Sequence, residues 1–364
     1  RIPLPTNIPP QSLLLAIPDP NFARYSLWID GREFDRRGSN QGQVSLLRHP
    51  IAFQIPAASI KTEQASSILL RLHAQDSAAY IEPMLFGPTA ELQSYVSHVQ
   101  FMQKSLVRAI MAMMAVMSFL MAIIHRMRYR QETVYGWYAL GIVTWLIHTG
   151  QGQLEAAPFG SMSFWLALGY VTLPTFVVTS AIFTNRVIRA PARRLEFTLL
   201  IGLTLGSGFI FWRGAADGAL NSFLTVFWIP ATIAVGGYNI YRMVSAARRS
   251  YSPDVLILLA ATAVVLVVGI RDYLYNNLGI LPGSSLYLKY AAGLVLVVFS
   301  FVLIRRFSRA LNLAEQTNAA LLAQRDRSVV DPTIDYRRVM LEEHALFEAQ
   351  IEQLLETVGN TTEL

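Results

Sequence analysis

No cysteine occurs in the 364 residues, which excludes disulfides, zinc-thiolate sites and cysteine nucleophiles together. Charge is scarce as well: 15% of residues are charged against 53% hydrophobic, and mean hydropathy is +0.38. A chain that apolar is not one soluble domain. The polar stretches contain no Gly-rich phosphate loop and no nucleotide-cyclase site. The apolar runs lack strand alternation, which excludes a membrane barrel. They also lack the buried carboxylate chain of a proton or ion pump, a lysine placed to bind retinal, and an evident inverted repeat, so a transporter is disfavoured. Lys289 sits near the start of the last run and is placed to snorkel outward. Nothing in the residues calls for a metal or another cofactor.

What is present is a block, residues 106–307, holding seven apolar stretches: residues 106–125, 134–149, 162–184, 195–212, 219–241, 255–275 and 286–304. Each approaches the roughly 20 residues that a helix needs to cross a hydrocarbon core of about 30 Å. Lipid leaves unpaired backbone groups no partner, so the stretches are predicted to be helices. Charge between them predicts the direction. Arg126, Arg128 and Arg130 follow the first stretch; Arg186, Arg189, Arg193 and Arg194 the third; Arg242, Arg248 and Arg249 the fifth; Arg305, Arg306 and Arg309 the seventh. The other breaks hold Glu155, Arg213 with Asp217, and Arg271 with Asp272. Short arginine-rich loops stay in the cytoplasm, so the odd-numbered breaks and the C-terminus are expected inside and the first hundred residues outside. The net charge of +6 then reports topology and gives no reason to invoke nucleic acid. An outward N-terminal domain ordinarily crosses behind a signal sequence, which is expected ahead of Arg1.

Residues 1–10 are a proline-rich entry. Short β-like runs follow at residues 12–17, 25–29, 43–47, 51–55, 67–74 and 80–86, and Asp30-Gly31 makes a hairpin turn. These predict a small, jelly-roll-like β-sandwich over residues 1–100. Trp28, Arg48, His49, Tyr80 and Glu82 are candidates for a ligand face; alternatively Trp28 and Tyr80 pack the sandwich and Arg48 closes a loop.

Within the helical block, His148, Glu155, Arg271, Asp272, Asn276 and Asn277 fall near the outer helix ends. They either couple the sandwich to the helices, with Arg271 and Asp272 foremost, or sit in the wet interface with Trp145, Trp212 and Trp228 as anchors. Pro174 and Pro230 predict mid-helix kinks.

A sandwich that ends in Phe86-Gly-Pro-Thr-Ala-Glu-Leu92 and feeds a seven-helix block resembles the bacterial seven-transmembrane receptors with diverse intracellular signalling modules. Arg48-His-Pro-Ile-Ala-Phe53, Arg271-Asp-Tyr-Leu-Tyr275, Leu286-Tyr-Leu-Lys-Tyr290 and Arg305-Arg-Phe-Ser-Arg-Ala-Leu311 are similar to segments of family members that are sensor histidine kinases. The resemblance covers roughly residues 20–325 and implies an inner-membrane receptor with a periplasmic N-terminus. It further implies a small-molecule or envelope-protein ligand, and a kinase domain or response regulator as cytoplasmic partner.

From Phe307 the last helix is expected to leave the membrane, closing the block over residues 101–306. Phe307, Leu311, Ala314, Asn318, Leu321 and Arg325 follow spacings of four and three, an a/d seam over residues 307–330. A parallel homodimer with Asn318 setting register is one reading; an exposed or membrane-lying amphipathic helix is the other. Asp331-Pro332 is expected to interrupt the helix, and a second one to run over residues 334–358 within a final segment, 331–364. There Arg337-Arg-Val-Met-Leu-Glu-Glu-His-Ala-Leu-Phe-Glu-Ala-Gln-Ile351 resembles a worn phosphoacceptor box, with His344 and Gln350 at the matching spacing. The box carries an acidic residue and a glycine after its histidine, and here Ala345 and Leu346 stand there. His344 also falls on an apolar seam with Met340, Phe347, Ile351 and Leu354, where an ordinary packed histidine belongs. A kinase output therefore requires an ATP-binding half beyond Leu364 or on a partner. The competing expectation is a non-enzymatic membrane scaffold or regulatory subunit whose last helix docks another cytoplasmic protein.

Overall fold

The computed structural model describes residues 12–18, 20, 21, 24–37, 50–56, 67–73, 80, 81, 84–128, 133–154, 158, 160–213, 218–249, 252–276, 278, 280, 287–330 and 340–350. Two small antiparallel sheets form first. One has the order β5-β1-β8, from β1 (Leu13–Ile17), β5 (Ile51–Ile55) and β8 (Leu85–Pro88). The other has the order β4-β3-β6, from β3 (Arg24–Ile29), β4 (Arg32–Arg37) and β6 (Ile68–His73). β2 (Pro20–Asn21) and β7 (Tyr80–Ile81) make a separate short pair.

Alternation decides what each strand buries. Leu13, Leu15 and Ile17 pack against Tyr25, Leu27 and Ile29, and Tyr25 meets Phe53 edge-on at 5.0 Å. The other face of β1 is covered too, because Leu14 and Ala16 pack on Leu92 and Val96 of the first helix. A strand buried on both faces must be apolar throughout, and Leu-Leu-Leu-Ala-Ile is. The predicted hairpin forms: Asp30 and Gly31 have φ of 48° and 81°, as a two-residue turn matched to strand twist requires. Asp30 also accepts the Ser67 amide at 2.7 Å, which ties β6 to the turn. β4 was not among the expected strands because its sequence, Arg-Glu-Phe-Asp-Arg-Arg, is charged; on a sheet edge, charge suits a strand that must stay unpaired on one side. The run expected at 80–86 is divided between β7 and β8, and the one at 43–47 lies outside the described residues.

Helices make up the rest. α1 (Thr89–Gln100) passes through a π turn, Phe101–Leu106, into α2 (Val107–Arg128), one uninterrupted helix from sheet to bundle. α3 (Val134–Gln151), α4 (Met162–Val187) and α5 (Arg193–Arg213) follow. α6 (Gly218–Phe223) passes through a second π turn, Leu224–Trp228, into α7 (Ile229–Arg249). α8 (Pro253–Asn276) and α9 (Leu288–Val330) complete the bundle, and residues 340–350 are helical. At about 1.5 Å per residue, the 43 residues of α9 reach about 65 Å.

Six helical segments among the described residues are long and apolar enough to cross a membrane: Thr89–Met127, Ser163–Val187, Arg193–Arg213, Leu220–Arg249, Pro253–Tyr275 and Leu288–Gln324. The chain therefore has the character of a membrane protein with a small β region at its N-terminal side. α3, the second predicted span, is not among the six. Tyr135, Trp137, Tyr138, Trp145, His148 and Gln151 dilute its hydropathy. It is instead enclosed by protein: nine of its 18 residues are buried, and it packs against α2, α4 and α9. Trp145, expected as an interfacial anchor, is 1% exposed and contacts Phe176 inside this core. Trp228 is also buried, whereas Trp212 is exposed as an anchor would be.

Candidate functional site

Two prolines and two π turns leave backbone carbonyls without their usual helical donors. In an apolar bundle each must find another partner. Pro174 in α4 has no amide to offer Tyr170, four residues back, and the Tyr170 carbonyl accepts Trp228 Nε1 at 3.0 Å instead. In the second π turn the Ile229 amide donates to Leu224, and the next residue is Pro230. The Thr225 carbonyl is left over and accepts the Tyr273 hydroxyl from α8 at 2.9 Å. In the first π turn the Val107 amide donates to Lys104, and the Met102 carbonyl accepts the Tyr290 hydroxyl from α9 at 3.1 Å. The neighbouring Gln103 carbonyl accepts Gln153 Nε2 at 3.2 Å.

These bonds form a collar around the end of the bundle that carries the sheets. Trp228 joins α7 to α4, and Tyr273 joins α8 to α7. Asp272 of α8 accepts the Leu288 amide at 2.8 Å and so caps the N-terminus of α9. Tyr290 joins α9 to the α1–α2 helix, and Gln153 joins that helix to the segment after α3. His148 Nδ1, 3.1 Å from the Gly169 carbonyl, and Gln151, donating to Trp165 at 2.7 Å, close the circuit from α3 to α4. Arg271 pairs with the buried Asp272 at 2.8 Å, and its guanidinium lies 5.2 Å from the Tyr275 ring and 4.6 Å from the Tyr287 ring. Of the outer polar residues, His148, Arg271 and Asp272 bond between or along elements at this end of the bundle. Only the backbone of Asn276 is described, and Glu155 and Asn277 lie outside the described residues.

No family model, curated protein or solved structure matches the chain.

The opposite end is organised by arginines around the exit of α9. Arg309 and Arg305 reach Asp254, at the start of α8, at 2.6 and 3.6 Å, and Arg306 donates to the Val187 carbonyl at 3.5 Å. Arg242 donates to Ala190 at 2.5 Å, and the buried Glu196 holds Arg186 at 2.8 Å and Asn185 at 3.2 Å. Between the two ends, the Tyr138 hydroxyl of α3 donates to the Leu296 carbonyl and lies 2.8 Å from Ser300 Oγ, both on α9. Trp137, Gly141, Ser180 and Phe299 line a cleft beside it of about 10 Å³, room for about one water. No metal-binding group of His, Cys, Asp and Glu occurs among the described residues.

Those of the remaining predicted residues whose side chains are described do not join the collar. Trp28 is half-buried on the outward face of β3, opposite Glu33 and the exposed Leu69. Tyr80 is described only in its backbone, and Arg48, His49 and Glu82 lie outside the described residues. On α9, Phe307 sits against the bundle with its ring 6.5 Å from Tyr135, whereas Leu311, Ala314, Asn318 and Leu321 are exposed in the single chain. Arg325 lies on the same helix, its side chain outside the described residues. His344 is exposed on helical residues 340–350, with Nδ1 3.7 Å from Glu348 Oε1 one turn on. Met340, Leu341, Leu346 and Phe347 of this segment are exposed as well.

Of the donors, Trp228 was expected as an interfacial anchor only, and Tyr273, Tyr290 and Gln153 were not singled out. Pro174 and Pro230 were read only as kinks; the carbonyls they free, and which side chain answers each, are tertiary facts.

Proposed function

We propose that the chain is a homodimeric membrane receptor that carries an extracytoplasmic signal to a cytoplasmic output, related to the bacterial seven-transmembrane receptors it resembles. In this reading α3 crosses the membrane as a seventh, protein-enclosed helix, the sheets lie outside, and the arginine-rich end faces the cytoplasm of a bacterial inner membrane. A small molecule or an envelope protein binds the sandwich. The observation that supports the reading best is continuity. One unbroken helix leads from the sheets into the bundle, another leads from the bundle core into an exposed tail, and a single collar ties their near ends together. A signal needs differential contact with two arrangements of such elements, and two rods joined at one rim supply it.

The output in this reading is a histidine kinase relay, with His344 as phosphoacceptor and the exposed α9 seam as the dimer contact. A scaffold that docks a different cytoplasmic protein is the second reading. Ala345 and Leu346 after His344, and the four exposed apolar side chains of residues 340–350, favour it. Autophosphorylation of the full-length protein in native membranes separates them, with His344→Ala as control. Label that disappears in the variant supports the relay. Unlabelled full-length protein contradicts it, and proteins that co-purify with the tail then identify the output.

A further inference from the structure

We infer that the π turn Phe101–Leu106 is a hinge clamped by the Tyr290 hydroxyl, through which movement of the sheet-bearing helix α1 reaches α9. The receptor reading gives this hinge its purpose; its geometry stands on separate observations. α1 is packed on the sheet through Val96, which is 4% exposed against Leu14 and Ala16, and its start is tied to β1 by Ser12 and Thr89, whose side-chain oxygens are 3.0 Å apart. Any shift of that sheet therefore carries α1 with it. Below α1 the helix widens into a π turn, where single-turn departures from the α ladder commonly mark functional positions.

The turn is held from outside by two side chains. Tyr290 takes the Met102 carbonyl and Gln153 takes the Gln103 carbonyl. Tyr290 is in the first turn of α9, and Gly293, three residues on, lets α9 approach α2 so closely that a Cβ there would lie 2.5 Å from Ile110 Cγ2. The hydroxyl thus bonds to the hinge within a turn of the point where α9 closely approaches α2. Tyr287, which precedes α9, and the Asp272 cap hold the same end of α9 to Arg271, so its start cannot move without breaking or dragging these contacts.

The test is amide hydrogen exchange on the full chain in lipid nanodiscs, for wild type, Val96→Ala, Tyr290→Phe and the double variant. Val96→Ala loosens α1 on the sheet without adding bulk, and faster exchange in residues 89–100 shows that it has done so. The hinge requires that Val96→Ala also speed exchange at residues 288–292, by about fivefold, and that the double variant exchange there no faster than Tyr290→Phe alone. If Val96→Ala leaves residues 288–292 unchanged, or speeds them equally with and without the hydroxyl, the inference is overturned. Tyr273→Phe, which frees the other π turn, serves as a second variant and should leave the response to Val96→Ala intact. Exchange in residues 307–324 reads the receptor reading separately: a tail indifferent to Val96→Ala counts against that reading even when the hinge responds.

Discussion

At the scale of single residues, the bundle is decided by a few places where a backbone comes unusually close or loses a partner. Gly206 of α5 is one. A Cβ there would lie 2.0 Å from the Trp228 ring, and the ring is fixed by its bond to the Tyr170 carbonyl, so it cannot step aside cheaply. Gly206→Val is predicted to destabilise the protein by about 2 kcal/mol through overpacking, whereas Gly202→Ala, with nothing within 4 Å of its added Cβ, should be neutral or slightly stabilising. Thermal unfolding of both variants in the same detergent checks the pair. Equal midpoints would mean that α5 is not held against α7 in this way. Neither glycine differs from the other in the sequence. What separates them is the position of Trp228, which a span-length reading assigns to the interface.

At the scale of elements, the six long apolar helices were legible because crossing lipid demands length and hydropathy of each, and arginine-rich breaks set off alternate stretches. The same logic under-describes α3, whose aromatic and polar residues are tolerated because neighbouring helices shield them. It also missed β4, where charge belongs to an edge. The collar was least legible, since Tyr273, Tyr290 and Gln153 look like ordinary interfacial residues until the carbonyls they serve are located. Asp272, expected near an outer helix end, caps α9 and holds Arg271 between two tyrosines. Asp272→Ala leaves a partly buried guanidinium and an uncapped helix, and should cost about 2 to 3 kcal/mol. Asp254→Ala breaks ion pairs with Arg305 and Arg309, whose side chains are more than half exposed, and should cost under about 1 kcal/mol. Unfolding free energies of the two variants should differ in that order; the reverse order would place the structural weight at the arginine end.

At the scale of the whole molecule, the architecture is two long helices joined at one rim. Thr89–Met127 descends from the sheets, and α9 runs from the same rim past the far end of the bundle. Residues 311–324 of α9 are all exposed in the single chain, although Leu311 and Leu321 are apolar. An isolated helix of that kind gains little from its own propensity, so a second copy packed along the seam is what would stabilise it. The absence of cysteine makes the decisive measurement direct, because a single spin label can be placed at Asn318→Cys with no competing site. Pulsed electron resonance on the labelled protein in lipid bilayers reports the distance between copies. A parallel dimer predicts one narrow, short distance, set by helix axes about 10 Å apart. Absence of dipolar coupling, or a broad distribution extending to long distances, would contradict a receptor that signals through paired α9 helices.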